Sequence, residues 1–185
     1  MKRIFIALQI NPEALLLRMH ASLQALLGKE RITWVDPANI HLTLAFLGDT
    51  EDDLIKVVSI MLKKTCAGFG EFNFDLVGTG IFKNFEDPRV IWIGIERNEK
   101  LLQLNNLIMT GLKDAGFKLE DRPYRPHLTL GRIKFLKDTN ALKTALEKYH
   151  DKPIQQVHVE EVVLYESILK PTGPIYKPIG KFSLK

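Results

Sequence analysis

Cysteine is nearly absent from this chain: Cys66 is the only one among 185 residues. That count excludes an internal disulfide and any zinc site built from several cysteines, and it suits a cytoplasmic protein. Cys66 has no His or Lys beside it in sequence and reads as a small buried hydrophobe near a helix end. Long apolar runs are also missing, since nothing approaches the roughly 20 residues of a membrane span. The opening MKRIFIALQINPEALLL sets two basic residues before an apolar run. Gln9, Asn11, Pro12 and Glu13 interrupt that run and no A-x-A site follows, so a secretory signal is not expected. No Gly/Ser-rich stretch separates one part of the chain from another, which points to one body spanning residues 1–185. H-x-H pairs, H-E-x-x-H helices and phosphate-cradling Walker loops are absent as well, so neither a metal nor a nucleotide cofactor is expected.

What remains is ordinary globular material, 45% hydrophobic and 26% charged, with a net charge of +4. The excess is concentrated. Residues 113–137 hold seven Lys/Arg against three Asp/Glu, which equals the whole net charge and favours an anionic ligand near that window.

Histidine is scarce, five in all, and two of the five head the same tetrapeptide: HLTL at 41–44 and again at 127–130. The surroundings repeat as well. RIFIALQI alternates as a strand, and NPEALLLRMHASLQALLG reads as a helix with Asn11 as N-cap, Pro12 in the first turn and Gly28 as the stop. A loop with Trp34 and Pro37 leads into the first HLTL. RVIWIGIE is again a strand, NEKLLQLNNLIMTGLKDAG a helix ending near Gly116, and the Pro-rich loop EDRPYRP leads into the second HLTL. Phe5 and Trp92 lie 87 apart and the two histidines 86 apart, so order and spacing agree, as in a duplicated unit. After each motif come a helix and further strands: about 51–66 and then EFNFDLVGTGIF in the first half, a helix opening at Asp138 and then QQVHVEEVVLYES and IYKPIGKF in the second.

Side chains alternate across a strand. In each HLTL the leucines (Leu42, Leu44; Leu128, Leu130) therefore face a core, and His41 with Thr43, like His127 with Thr129, faces away from it. Brought to one cleft, two imidazoles with pKa values near 6.5 suit acid–base chemistry at phosphorus. One stands neutral to take a proton, the other charged to give one. The threonine hydroxyls suit hydrogen bonds to non-bridging phosphate oxygens. By the same parity Arg125 shares the face of His127 as a phosphate clamp, and Arg132 falls on the opposite face unless the strand bends at Gly131. Tyr124 and Tyr176 are candidate stacking platforms for a base. Trp34 and Phe46 read as core, and His20, His150 and His158 as structural or surface residues.

Two H-x-T-x motifs in a duplicated chain of this length resemble the 2H phosphoesterase superfamily. Within it, RIFIALQI, HLTLAFLG, FEDPRVIWIGI, RPYRPHLTLGR and VVLYESILKPTGPIY resemble the RNA 2′,3′-cyclic phosphodiesterases, also called 2′-5′ RNA ligases. The resemblance implies an α+β fold, bilobal and pseudo-twofold, with two antiparallel sheets lining a central groove and helices outside. It implies metal-independent opening of a terminal 2′,3′-cyclic phosphate to a 2′-phosphate on RNA or oligonucleotide ends, with 2′-5′ ligation as the reverse. His41 would be the proton donor to the leaving 3′ oxygen, His127 the base that activates water, and Thr43 and Thr129 the phosphate holders. A monomer without membrane or cofactor partners is expected. A small cyclic nucleotide, an ADP-ribose cyclic phosphate or a 2′-5′ oligonucleotide as substrate, and a non-catalytic RNA-binding module, are the competing readings.

Overall fold

The computed structural model describes residues 1–119, 123–171 and 173–185. Of the Pro-rich loop, Glu120–Arg122 lie outside the described residues, as does Thr172 of the closing motif. The first strand, β1 (Lys2–Gln9), is apolar on both faces: Ile4, Ile6 and Leu8 enter the main core, while Phe5 and Ala7 join Val163 and Tyr165 in a small second cluster behind it. A strand buried on both sides belongs at the centre of a lobe.

Helices α1 (Ala14–Leu26), α2 (Asp52–Cys66), α3 (Glu99–Asp114) and α4 (Thr139–Glu147) alternate with β2 (Arg31–Trp34), β3 (His41–Thr50), β4 (Phe72–Phe82), β5 (Val90–Ile95), β6 (His127–Phe135), β7 (Pro153–Val159), β8 (Glu161–Lys170) and β9 (Gly173–Ser183). The strands form one antiparallel sheet in the order β7-β4-β5-β6-β3-β1-β8-β9, with β2 added beside β6. The two sheets expected from sequence are the two sides of this array. They join where β3 meets β6, at the single pair Leu42↔Leu128. Each side mixes both halves of the chain, because β4 crosses over to pair with β5 and β8 crosses back to pair with β1. One continuous core, including Leu16, Leu23, Leu62, Leu104, Leu112 and Leu146 from the helices, fills the space between helices and sheet. Full burial of each such leucine stabilises the fold by about 1.5–3 kcal/mol.

Three boundaries differ from those expected. Asn11 does not cap α1. The helix begins after Glu13, and Gln155 on β7 binds this corner by accepting from Glu13 N and donating to Asn11 O, each at 2.9 Å. Residues 31–34, expected as loop, pair with β6 as β2. The long strand expected at 155–167 breaks at Glu160, because β7 lies beside β4 and β8 beside β1, on opposite sides of the array. Elsewhere local signals hold: Asn98 caps α3 by accepting from Leu101 N, and Asp138 caps α4 by accepting from Asn140 N and Ala141 N.

His20 on α1 is 2% exposed, edge-on to Trp34 at 5.6 Å, and its Nε2 has no hydrogen-bond partner among the described residues. Burial holds its pKa below the usual value, against the opposing pull of the Val35 and Leu130 carbonyls and of Asp36. The unfolded chain therefore binds a proton on His20 that the folded chain refuses, and stability falls as pH drops below about 6.5, by at most about 1.4 kcal/mol per pH unit for this group. Urea unfolding at pH 7 and pH 5 should show a smaller acid loss in His20→Leu than in the parent; an unchanged difference would show that His20 protonates without penalty.

Candidate active site

In HLTLAF and HLTLGR the burial sequence is the same residue for residue. Half-buried His, buried Leu, half-buried Thr and buried Leu are followed by a buried small residue and an exposed sixth position. The register explains the agreement. Thr43 pairs with Ala7 but Ala45 with Ile6, leaving Leu44 as an extra residue. Thr129 pairs with Trp92 but Gly131 with Ile91, leaving Leu130 as an extra residue. Each strand thus carries a β-bulge directly after its His-x-Thr, and a bulge reverses the alternation beyond it.

Two positions change face as a result. Arg132, placed on the core side by simple parity, stands on the helix-free face with His127 and Thr129, and its charge reaches both His41 and His127. The bend does fall at Gly131, where a Cβ would meet Ile32 at 2.9 Å and Trp34 at 3.1 Å. Phe46, the counterpart of Arg132 five residues after its histidine, is expected in the core but is 69% exposed, with its ring 6.1 Å from Phe5. In the sequence, Gly131 alone hints at the change of face for Arg132, and nothing in HLTLAF marks it for Phe46.

The single Leu42↔Leu128 pair sets the motifs side by side. Continuing that antiparallel register one residue either way brings His41 beside Thr129 and Thr43 beside His127, all on one face. Both imidazoles are held alike. His41 Nδ1 lies 2.7 Å from Asn39 O, and His127 Nδ1 lies 2.7 Å from Arg125 O. A carbonyl only accepts, so Nδ1 carries the proton in each ring and Nε2 is the working nitrogen. Each ring also meets an aromatic edge: His41 against Tyr176 at 5.2 Å and 85°, His127 against Phe82 at 4.5 Å and 90°.

Both histidines are held below the ordinary imidazole pKa, first by burial and then by the Arg132 cation, against the opposing carbonyl bonds. Two neutral rings beside a guanidinium make a face ready for an anion.

The remaining candidates divide. Tyr176 lies against His41 and Phe5, and burial pushes its phenol up while Arg132 and Arg3 oppose that shift. Arg125 is exposed at the head of β6, where its carbonyl orients His127. Tyr124 is turned inward: it packs against the core, burial pushes its phenol pKa up, and its hydroxyl donates to Thr43 O at 3.2 Å. It ties the approach to the second motif onto the first, with its ring taken up by packing. Among the described residues, Glu71, His158 and Glu160 are grouped as a metal site would need, their ligand atoms within 4.8 Å. They sit at the β7 edge of the array, Glu71 is paired with Lys185, and no groove residue belongs to the group.

The sequence profile of the 2′-5′ RNA ligase superfamily matches residues 33–169. The chain is 36% identical over 178 residues to the RNA 2′,3′-cyclic phosphodiesterase of Thermotoga maritima, covering 95% of this chain and 91% of that one. It is 35% identical over 181 residues to the RNA 2′,3′-cyclic phosphodiesterase of Methanocaldococcus jannaschii, covering 97% and 99%. Among solved structures, TT0787 of Thermus thermophilus superposes with a TM-score of 0.75 at 28% identity, covering 98% and 97%. With paired H-x-T-x strands on a shared antiparallel sheet, the chain belongs to the 2′-5′ RNA ligase superfamily, the 2H phosphoesterases.

Removing the Arg132 cation should let both imidazole pKa values rise, because its charge lowers them. Histidine side-chain NMR titration of Arg132→Gln should move the His41 and His127 midpoints to higher pH and leave His20 in place. Midpoints that stay fixed would put Arg132 out of reach of the pair.

Proposed function

We propose that this protein hydrolyses RNA 2′,3′-cyclic phosphate ends to 2′-phosphomonoesters, using His41 and His127 as acid and base. The observation that carries the reading is the matched pair of imidazoles, each presenting Nε2 on the same face with a threonine beside it, both within reach of the Arg132 charge. The relatives' names give the substrate class.

His127 Nε2 accepts a proton from water as the water oxygen bonds to phosphorus. The P–O3′ bond breaks, and His41, protonated on Nε2 beside the bound anion, gives its proton to O3′. The product is a 2′-phosphate with a free 3′-hydroxyl. Thr43 and Thr129 donate to the non-bridging oxygens, and Arg132 balances the charge that builds on them. Phe46 offers an exposed ring for the terminal base, and Tyr176 a half-buried one. Arg125 at the rim meets the phosphate or the strand leading to it. Each proton transfer is worth about 10²–10⁴-fold. Both motifs come from one chain, so a monomer suffices, and the one buried cysteine suits the cytoplasm. No described helix is long and apolar enough to cross a membrane.

An oligonucleotide ending in 2′,3′-cyclic phosphate, incubated with EDTA present, should yield the 2′-phosphate. His41→Ala and His127→Ala should each lower kcat by about 10²-fold or more while circular dichroism stays unchanged. Turnover surviving either change, or lost with EDTA, would overturn the mechanism, and a 3′-phosphate product would exchange the leaving group.

Because burial and Arg132 hold both imidazoles down before substrate binds, the kcat/KM profile should be bell-shaped with its maximum on the acid side of pH 6.5. The kcat profile should lie higher in pH, because bound phosphate favours the imidazolium. A kcat/KM maximum well above pH 7 would contradict this assignment of groups.

A further inference from the structure

We propose that the helix-free face of the β8–β9 hairpin is a subsite for the second nucleotide from the RNA 3′ end, with Arg3 holding the phosphodiester that joins it to the terminal one. The proposal rests on the phosphodiesterase reading and adds what that site prefers: a polynucleotide end over a mononucleotide.

The register makes the case. β1 pairs with β8 up to Ile4↔Glu166 and no further. β8 and β9 go on pairing with each other, through Ser167↔Tyr176, Ile168↔Ile175 and Leu169↔Pro174 to Lys170↔Gly173, as a two-stranded arm beyond the sheet. Two contacts fix which face of the arm is which. Tyr165 stacks on Phe5 at 5.2 Å, and Tyr176 meets both Phe5 at 5.0 Å and His41 at 5.2 Å, so both rings lie on the catalytic face. The β8–β9 register shift falls between Leu164 and Tyr165, and none follows. Ser167 and Leu169 therefore share the face of Tyr165, and Pro174 shares that of Tyr176.

The result is a ladder that starts at the His41 ring and runs outward through Tyr176 to Leu169 and Pro174. Leu169 is 66% exposed and Pro174 is exposed too. A lone exposed leucine needs no explanation. This one ends a row of aromatic and apolar side chains, with Ser167 among them, that begins at the proposed reaction centre, and two residues along a strand advance about 7 Å, comparable with one step of an extended single strand. The cation is in place as well. Arg3 is exposed on β1, shares by alternation the face of Phe5, and lies close enough to act electrostatically on the Tyr176 hydroxyl. A base seated on Leu169 and Pro174 leaves its connecting phosphate near Arg3. Single-stranded nucleic acid is held in this way, by a flat apolar surface for the base and a positive charge for the backbone.

The test compares steady-state kinetics of the full chain on cytidine 2′,3′-cyclic phosphate and on a dinucleotide ending in the same cyclic phosphate. The dinucleotide should show a KM about 10-fold lower at similar kcat. Leu169→Asp should erase that advantage, and Arg3→Gln should reduce it and flatten its dependence on salt, both without changing turnover of the mononucleotide. Ile175→Asp, on the opposite face of the same arm, should keep the full advantage and so control for damage to the hairpin. Equal KM values for the two substrates in the parent, or an advantage that survives both Leu169→Asp and Arg3→Gln, would overturn the subsite and leave the phosphodiesterase reading standing. A parent inactive on both substrates would remove that reading and the subsite with it.

Discussion

Leu42 and Leu128 meet as one antiparallel pair, and the juxtaposition of the two His-Thr pairs follows from that contact. Each leucine is fully buried, so the pair is held by core packing and backbone pairing together. Because neighbours on a strand point to opposite faces, sinking these two side chains into the core lifts the residues on either side of them to the other face. The site's polarity is thus a consequence of the core's apolarity. The crossed connections reinforce it: β4 and β8 each leave their own half to pair with the other, so moving one motif strand away from the other would disturb both sides of the array.

Much of this is legible in the sequence because it depends on local periodicity. Alternation in HLTL gives the facing of His41, Thr43, His127 and Thr129, and the helices expected over NEKLLQLNNLIMTGLKDAG and from Asp138 are found there. What escapes depends on partners distant in sequence. A bulge is defined by what the neighbouring strand does, so the exchange of faces at Arg132 and Phe46 is visible only once β1 and β5 are paired with the motif strands. Gly131 hints at a bend in one copy. Ala45, its counterpart, gives no such sign, and alternation alone therefore sends Phe46 to the core. The break at Glu160 escapes for a related reason, since alternation runs straight through it and the crossing from one side of the array to the other ends the strand. Tyr124 shows the limit of composition: an aromatic residue beside a motif suggests stacking, but a hydrogen bond to Thr43 O across 81 residues gives it a tethering position.

Acid–base catalysis by two like groups needs them in different protonation states, yet the molecule treats the two rings alike. Each donates a hydrogen bond from Nδ1–H to the carbonyl two residues back, each is partly buried, and each feels the same guanidinium. Both are therefore held towards the neutral form, which leaves the resting site poor in acid. The asymmetry has to come with the ligand. A cyclic phosphate carries one negative charge, and an imidazole beside it gains proton affinity, since an opposite charge within about 4–6 Å favours the charged form. In the proposed reaction the ring nearer the leaving oxygen would take the proton, and the other would stay neutral because two imidazoliums beside Arg132 would repel. On this account Arg132 has two effects that look opposed. It adds to burial in depressing both histidines, and in the proposed reaction it would hold the anion that restores one of them. Burial, helped by the same cation, holds the resting rings towards the neutral form, and in the proposed reaction protonation would come with substrate.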